Sequence, residues 1–115
     1  MNTSDQNKSY SSKLLELSKY NLTCCGYQQI TVDDTAAHLT IPTNAKYAIC
    51  IVESDATGVA VRFLELNDKT LPTDTTGMPR ADADSFDISG AENLKNFRVI
   101  QAQSGAHLLN VSYYK

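Results

Sequence analysis

After Cys24-Cys25-Gly26 the apolar side chains of this sequence fall into a period of two, and that change of period constrains the fold more than any other feature. Successive side chains of a strand point to opposite faces, so such alternation marks half-buried strands rather than helices. Residues 28–32 alternate and end at Asp33-Asp34, and residues 37–41 alternate until Pro42. Asp and Pro are turn formers, so both stops read as strand ends. Residues 46–53 are an almost unbroken apolar run, as expected of a central strand covered on both faces. Beyond the turn at Gly58, Val59, Val61, Phe63 and Glu65 share one strand face and Ala60, Arg62, Leu64 and Leu66 the other. Residues 84–88, 96–102 and 107–114 read as further strands, with one helical turn at residues 91–94.

Short strands punctuated by Gly, Pro and Asp predict an all-β domain, an antiparallel β-sandwich or jelly-roll-like small barrel of about eight strands. The domain is assigned to residues 23–115. Its expected core is Ile30, Val32, Leu39, Ile41, Ile49, Ile51, Val61, Phe63, Phe86, Ile88, Val99, Leu109 and Val111. Residues 1–22 read as a polar N-terminal arm with a possible short helix, in which Ser12 is the cap and Leu14, Leu15 and Leu17 the apolar positions. Two helical turns are not stable alone in water. These leucines must therefore dock, either on their own domain or on a neighbouring subunit.

At 115 residues and 42% apolar content, the chain is long enough for one self-sufficient core without disulfides or metal. A net charge of −3 argues against a nucleic-acid partner. No apolar run approaches the roughly 18 residues that span a bilayer, and the first residues lack a signal-peptide core. The expectation is no membrane and a reducing cytoplasm, where Cys24, Cys25 and Cys50 remain thiols.

Motifs for chemistry are sparse. The acidic stretch at residues 82–87 fails as an EF-hand loop, because Phe86, Asp87 and Asn93 occupy its fifth, sixth and twelfth positions. Asp82 and Asp84 read instead as a charged strand end. His38 is expected to face solvent, and His107 opens the last strand with no catalytic motif around it. No enzyme activity, cofactor or metal is expected. Residues 67–80 form the long irregular segment, either a contact surface carrying Leu71 and Met78 or a plain connection. Tyr113 and Tyr114 point to opposite faces of the last strand, so one of them is expected outside the core, at a rim or an interface. Without tryptophan for stacking, a subunit interface is favoured over a sugar site.

Leu71-Pro72-Thr73-Asp74-Thr75-Thr76-Gly77-Met78-Pro79, then Phe86-Asp87-Ile88, Leu94-Lys95-Asn96-Phe97-Arg98-Val99-Ile100 and the closing Leu109-Asn110-Val111-Ser112-Tyr113-Tyr114 carry a resemblance. Together with Leu39-Thr40-Ile41-Pro42 and Tyr47-Ala48-Ile49, they make residues 29–115 similar to small β-sandwich structural proteins of tailed bacteriophage virions, of the capsid decoration or auxiliary type. The resemblance implies a virion location after assembly in the host cytoplasm. It implies binding to the major capsid protein or another virion protein, as a homo-oligomer that stabilises the shell without catalysis. A head–tail accessory protein, or a head-fibre or tail receptor/glycan-binding module, is the alternative. The contact residues expected are Leu14, Leu15, Leu17, Leu71, Met78, Tyr113 and Tyr114; no catalytic residue is implied. The first 28 residues lie outside the resemblance.

Overall fold

A computed structural model describes Tyr10 and residues 21–115. Within residues 21–115 seven strands and one short helix follow in order: β1 (Cys24–Thr31), β2 (Tyr47–Ser54), β3 (Val59–Leu64), β4 (Met78–Ala81), β5 (Ser85–Ser89), α1 (Ala91–Asn96), β6 (Arg98–Gln101) and β7 (His107–Tyr114). They build two antiparallel sheets, β1-β7-β2-β5 and β4-β3-β6. The all-β sandwich is therefore the fold of this chain, with seven strands in place of about eight.

β2 is an interior strand of the larger sheet, paired to β7 from Tyr47↔Tyr114 to Ser54↔His107 and to β5 from Tyr47↔Ser89 to Ile51↔Ser85. Its side chains sort opposite to expectation. Ala48, Cys50 and Val52 face the core, while Ile49 joins a separate outer cluster with Tyr114. Ile51 is half-buried on that outer side, opposite Asn110 and Ser85. In an unbroken apolar run either alternate set can turn inward, and here the smaller set does because three aromatic rings fill the space between the sheets. Phe63 of β3 stacks on Phe86 of β5 at 4.4 Å and 6°, and Phe97 lies 5.4 Å from Phe63. Leu94 and Phe97, from α1 and the residue after it, are fully buried and belong to the same core. Ile41 packs on this core only in part.

Residues 37–41 do not form the expected strand. Ala37 makes one bridge to Val99, exchanging bonds of 2.8 and 3.0 Å with β6. The segment then crosses to the other sheet, where the Gln28 side chain accepts from the Thr40 backbone N–H at 3.0 Å. A chain stepping between sheets cannot run a ladder with either, but it can turn Leu39 into the core, where that residue is 5% exposed. Pro42 ends the crossing against Gly26, where an added Cβ would lie 2.8 Å from the proline ring. That contact and the bulge between Cys24 and Gly26 let β1 begin four residues earlier than alternation indicates.

Strand β4 arises inside the segment read as irregular, and Asp82 and Asp84 lie before β5 rather than in it. Asp82 Oδ1 accepts from Ser54 N–H at 2.9 Å and Asp84 Oδ2 from Ala81 N–H at 2.7 Å, so both carboxylates hold the β4–β5 turn. Arg80 of β4 places its guanidinium carbon 5.2 Å from the ring centres of both Phe63 and Phe86, closing the core where the two sheets are not hydrogen-bonded to each other.

Replacing Phe63 by Ala should cost about 3–5 kcal/mol, whereas Ile51→Ala on the outer face should cost about 1 kcal/mol. Urea melts of the two variants check this; equal losses would contradict the assignment of faces.

Candidate interaction surface

The segment from Glu65 to Gly77 joins β3 to β4 and is braced along its length. Asp68 accepts from the Thr70 backbone at 3.0 Å and from its hydroxyl at 2.7 Å, and these bonds hold its carboxyl below the usual range. Thr73 and Thr76 exchange backbone bonds of 2.9 and 3.4 Å, while the Thr73 hydroxyl oxygen accepts from the Thr76 N–H at 3.0 Å. Arg62, on the outer side of β3, donates to the Asp74 carbonyl at 3.1 Å and the Gly77 carbonyl at 3.0 Å. Pro72 is buried beneath the loop. Gly77 has φ +134, and a Cβ there would crowd Pro72 and the Phe63 carbonyl, so the return into β4 depends on glycine.

This braced segment presents apolar side chains to water. Leu66, Leu71 and Met78 are 45%, 55% and 51% exposed. Among the described residues the other exposed large hydrophobics are Tyr10 and Tyr27. Beside Thr73 runs an open cleft of about 290 Å³, lined by Asp34, Pro72, Thr73, Asp74, Ile100 and Gln101. Exposed apolar groups on a rigid support lose little entropy on binding, which is what a docking surface requires.

Of the expected contact residues, the structure brings Leu71 and Met78 onto this one loop–strand unit. Leu14, Leu15 and Leu17 lie outside the described residues. Tyr113 and Tyr114 do not offer exposed rings: they are 1% and 7% exposed. Tyr113 faces the core and donates its hydroxyl to Gln28 Oε1 at 2.6 Å, and burial pushes its phenol pKa well up. Tyr114 does lie on the outer face, but it is covered there, edge-on to Tyr47 with ring centres 6.1 Å apart.

Two constellations had no linear signal, because pairing across strands brings their residues together. At the start of β7, His107 is 2% exposed. Its Nε2 lies 2.7 Å from the Gln103 carbonyl, which can only accept, so Nε2 donates there, and Nδ1 shares a hydrogen bond of 2.8 Å with the Ser54 hydroxyl. Ser54 Oγ in turn accepts from Ala56 N–H at 2.9 Å, and Asp55 Oδ1 accepts from Ala106 N–H at 3.0 Å. The histidine's far nitrogen thus meets a carbonyl rather than a carboxylate, and the group ties the end of β2 to the start of β7. The second constellation lies on the outer face of the larger sheet. Tyr27 and Gln29 donate to Asn110 Oδ1 at 2.6 and 2.9 Å, and Asn110 Nδ2 donates to Glu53 Oε1 at 2.7 Å. The Tyr27 ring is 63% exposed above this network.

Among the described residues, no group of His, Cys, Asp and Glu is placed to hold a metal ion, and no helix is long and apolar enough to cross a membrane. Cys24, Cys25 and Cys50 are free thiols; burial and the nearby Asp87 and Glu65 charges push the Cys50 thiol far up. Compared with protein-family models, with curated proteins and with solved structures, the chain gives no match.

Glu65 opens the loop with one carboxyl oxygen buried and without a hydrogen-bond partner. Burial first, and the Asp87 charge second, raise its pKa above the usual 4.5. The folded chain then holds this proton more tightly than the unfolded chain, so Glu65 favours folding below pH 4.5 and loses that contribution as pH rises through its folded pKa. Glu65→Gln should therefore raise the urea midpoint at pH 7 and give a smaller gain at pH 4. A gain that grows on acidification would contradict this placement.

Proposed function

We propose that this chain is a non-enzymatic structural protein of a virion, a decoration or auxiliary head subunit that binds the capsid surface and stabilises the shell. The observation that carries the reading is the presentation of Leu66 and Leu71 on a braced loop and of Met78 at the start of β4 beside it. The family likeness of residues 29–115 points the same way. In this reading the partner is the major capsid protein or a neighbouring virion protein, and like subunits assemble as a homo-oligomer on the particle. Each contact is small, and the repeating shell supplies avidity because every further contact of a held subunit is effectively intramolecular.

Mass spectrometry of purified particles should find this chain at a copy number comparable to that of the shell protein. Leu71→Ser with Met78→Ser should sharply reduce incorporation while changing stability by no more than about 0.5 kcal/mol, since both side chains are largely solvated already. Full loading of that variant would remove the loop from the contact surface.

A second reading, a head–tail accessory protein or a receptor- or glycan-binding module of a fibre or tail, is favoured by the outer-face network. An exposed aromatic ring beside an amide, a second amide and a carboxylate is chemistry that suits a sugar ring. A glycan array distinguishes the two: binding lost on Tyr27→Ala favours the module, and no binding leaves the shell subunit.

A further inference from the structure

The edge of a β-sheet takes up another strand unless it is bridged, made repulsive or deprived of donors. Three of the edges here have such a device. β6 takes Ala37 in a bridge. β4 contains Pro79, which has no N–H to offer, and the charged Arg80. β5 carries Asp87 at its centre. β1, the other end of the larger sheet, has none of these. Cys24–Thr31 contains neither a charged residue nor a proline.

The ladder to β7 fixes which backbone groups of β1 are free. Val32 donates to the His107 carbonyl at 3.0 Å. Bonded positions of an antiparallel pair recur at every second residue, so Ile30 and Gln28 are the next to face β7 in this way. Tyr27, Gln29 and Thr31 therefore turn their N–H and C=O groups outward, and among the described residues no backbone bond from beyond the edge meets them. All three residues are exposed. The crossing segment does not occupy this place, because it lies under β1 rather than beside it. Pro42 sits where a Cβ of Gly26 would point, and Thr40 is held by Gln28, whose side chain also takes the Tyr113 hydroxyl on the core side.

We propose that β1 is a self-association edge: β1 of a second copy of this chain pairs antiparallel with it about a twofold axis at Gln29, joining the two larger sheets into one. The strand is complementary to itself in that register. Tyr27 falls opposite Thr31 of the second copy, an aromatic ring against a β-branched side chain, which is a favourable cross-strand pair. Each outward N–H of Tyr27, Gln29 and Thr31 meets a carbonyl of the other strand. Gln29 gives one amide N–H to Asn110 and keeps its oxygen for the Gln29 it meets on the axis. The same operation on β5 would set Asp87 against Asp87, so the second copy is assigned to β1. This deepens the homo-oligomer part of the virion reading, but the two fail separately. A monomer in solution leaves the Leu71 and Met78 contact standing, and a failure to load onto particles leaves the edge pairing standing.

Sedimentation velocity of the full-length chain tests the proposal. The unaltered chain should show a dimer whose share grows with concentration. Gln29→Lys alone and Gln29→Glu alone should each weaken the dimer about tenfold or more, because like charges then meet on the axis, and mixing the two variants should restore it. Gln29→Pro should leave a monomer, since an edge strand accepts proline where its N–H faces solvent but can no longer extend the ladder there. A far-UV spectrum like that of the unaltered chain shows that each variant remains folded. Three outcomes overturn the edge pairing. They are an unaltered chain still monomeric at about 1 mM, a dimer indifferent to the charged substitutions, and a mixture of the charged variants no tighter than either alone.

Discussion

No strand of one sheet pairs with a strand of the other among the described residues, and the Phe63–Phe86 stack is the centre of the side-chain contact between them. Each ring comes from a different sheet, so the pair fixes the spacing and relative placement that every other inward residue must fit. Phe97 extends the stack from the segment after α1, and Arg80 covers it from β4. With so much aromatic volume near β5, the inward positions of β2 are left for Ala48, Cys50 and Val52, and the larger isoleucines turn outward. The outer face thereby gains an apolar corner of Ile49 and Tyr114, against which Leu22 and Tyr47 pack.

Edges are managed unequally. β6 is bridged by Ala37 and β4 carries Pro79, while the crossing segment runs under β1 through Gln28, Thr40 and Pro42 and leaves its edge open. The same crossing segment also supplies Leu39 to the core. Buried polar groups follow a similar economy: Tyr113 shares Gln28 with the Thr40 backbone, and His107 satisfies both ring nitrogens within the turns it joins.

The strands with clean alternation or a long apolar run were legible from sequence, as β2, β3, β5 and β7 show, although the unbroken run of β2 did not reveal which alternate set turns inward. Residues 37–41 alternate equally well, yet their backbone partners lie in two different sheets, a fact no local period encodes. β4 was hidden by Pro79 and by its brevity, being a strand only because Phe63 and Arg62 pair with it. On the surface, Leu71 and Met78 were recognisable as apolar residues in a polar loop. The opposite orientation of Tyr113 and Tyr114 was also readable, but the cover over Tyr114 was not, since it depends on contacts from Leu22 and Tyr10. Ser54–His107 and the Tyr27–Asn110 network were illegible for the same reason: more than fifty residues separate their members.

Thr23 and Lys115 exchange backbone bonds of 3.0 and 2.9 Å, so the polypeptide enters and leaves the sandwich at one corner. A peptide or reporter fused after Lys115 would emerge beside the incoming chain at residue 21, crowding the seat of Tyr10 and Leu22. The Gly105 hairpin, at the opposite end of β7, is no freer a site for cargo: the Gln103–His107 and Asp55–Ala106 bonds that tie β2 to β7 run through it, and a Cβ at Gly105 would lie 2.8 Å from Asp55 Oδ1.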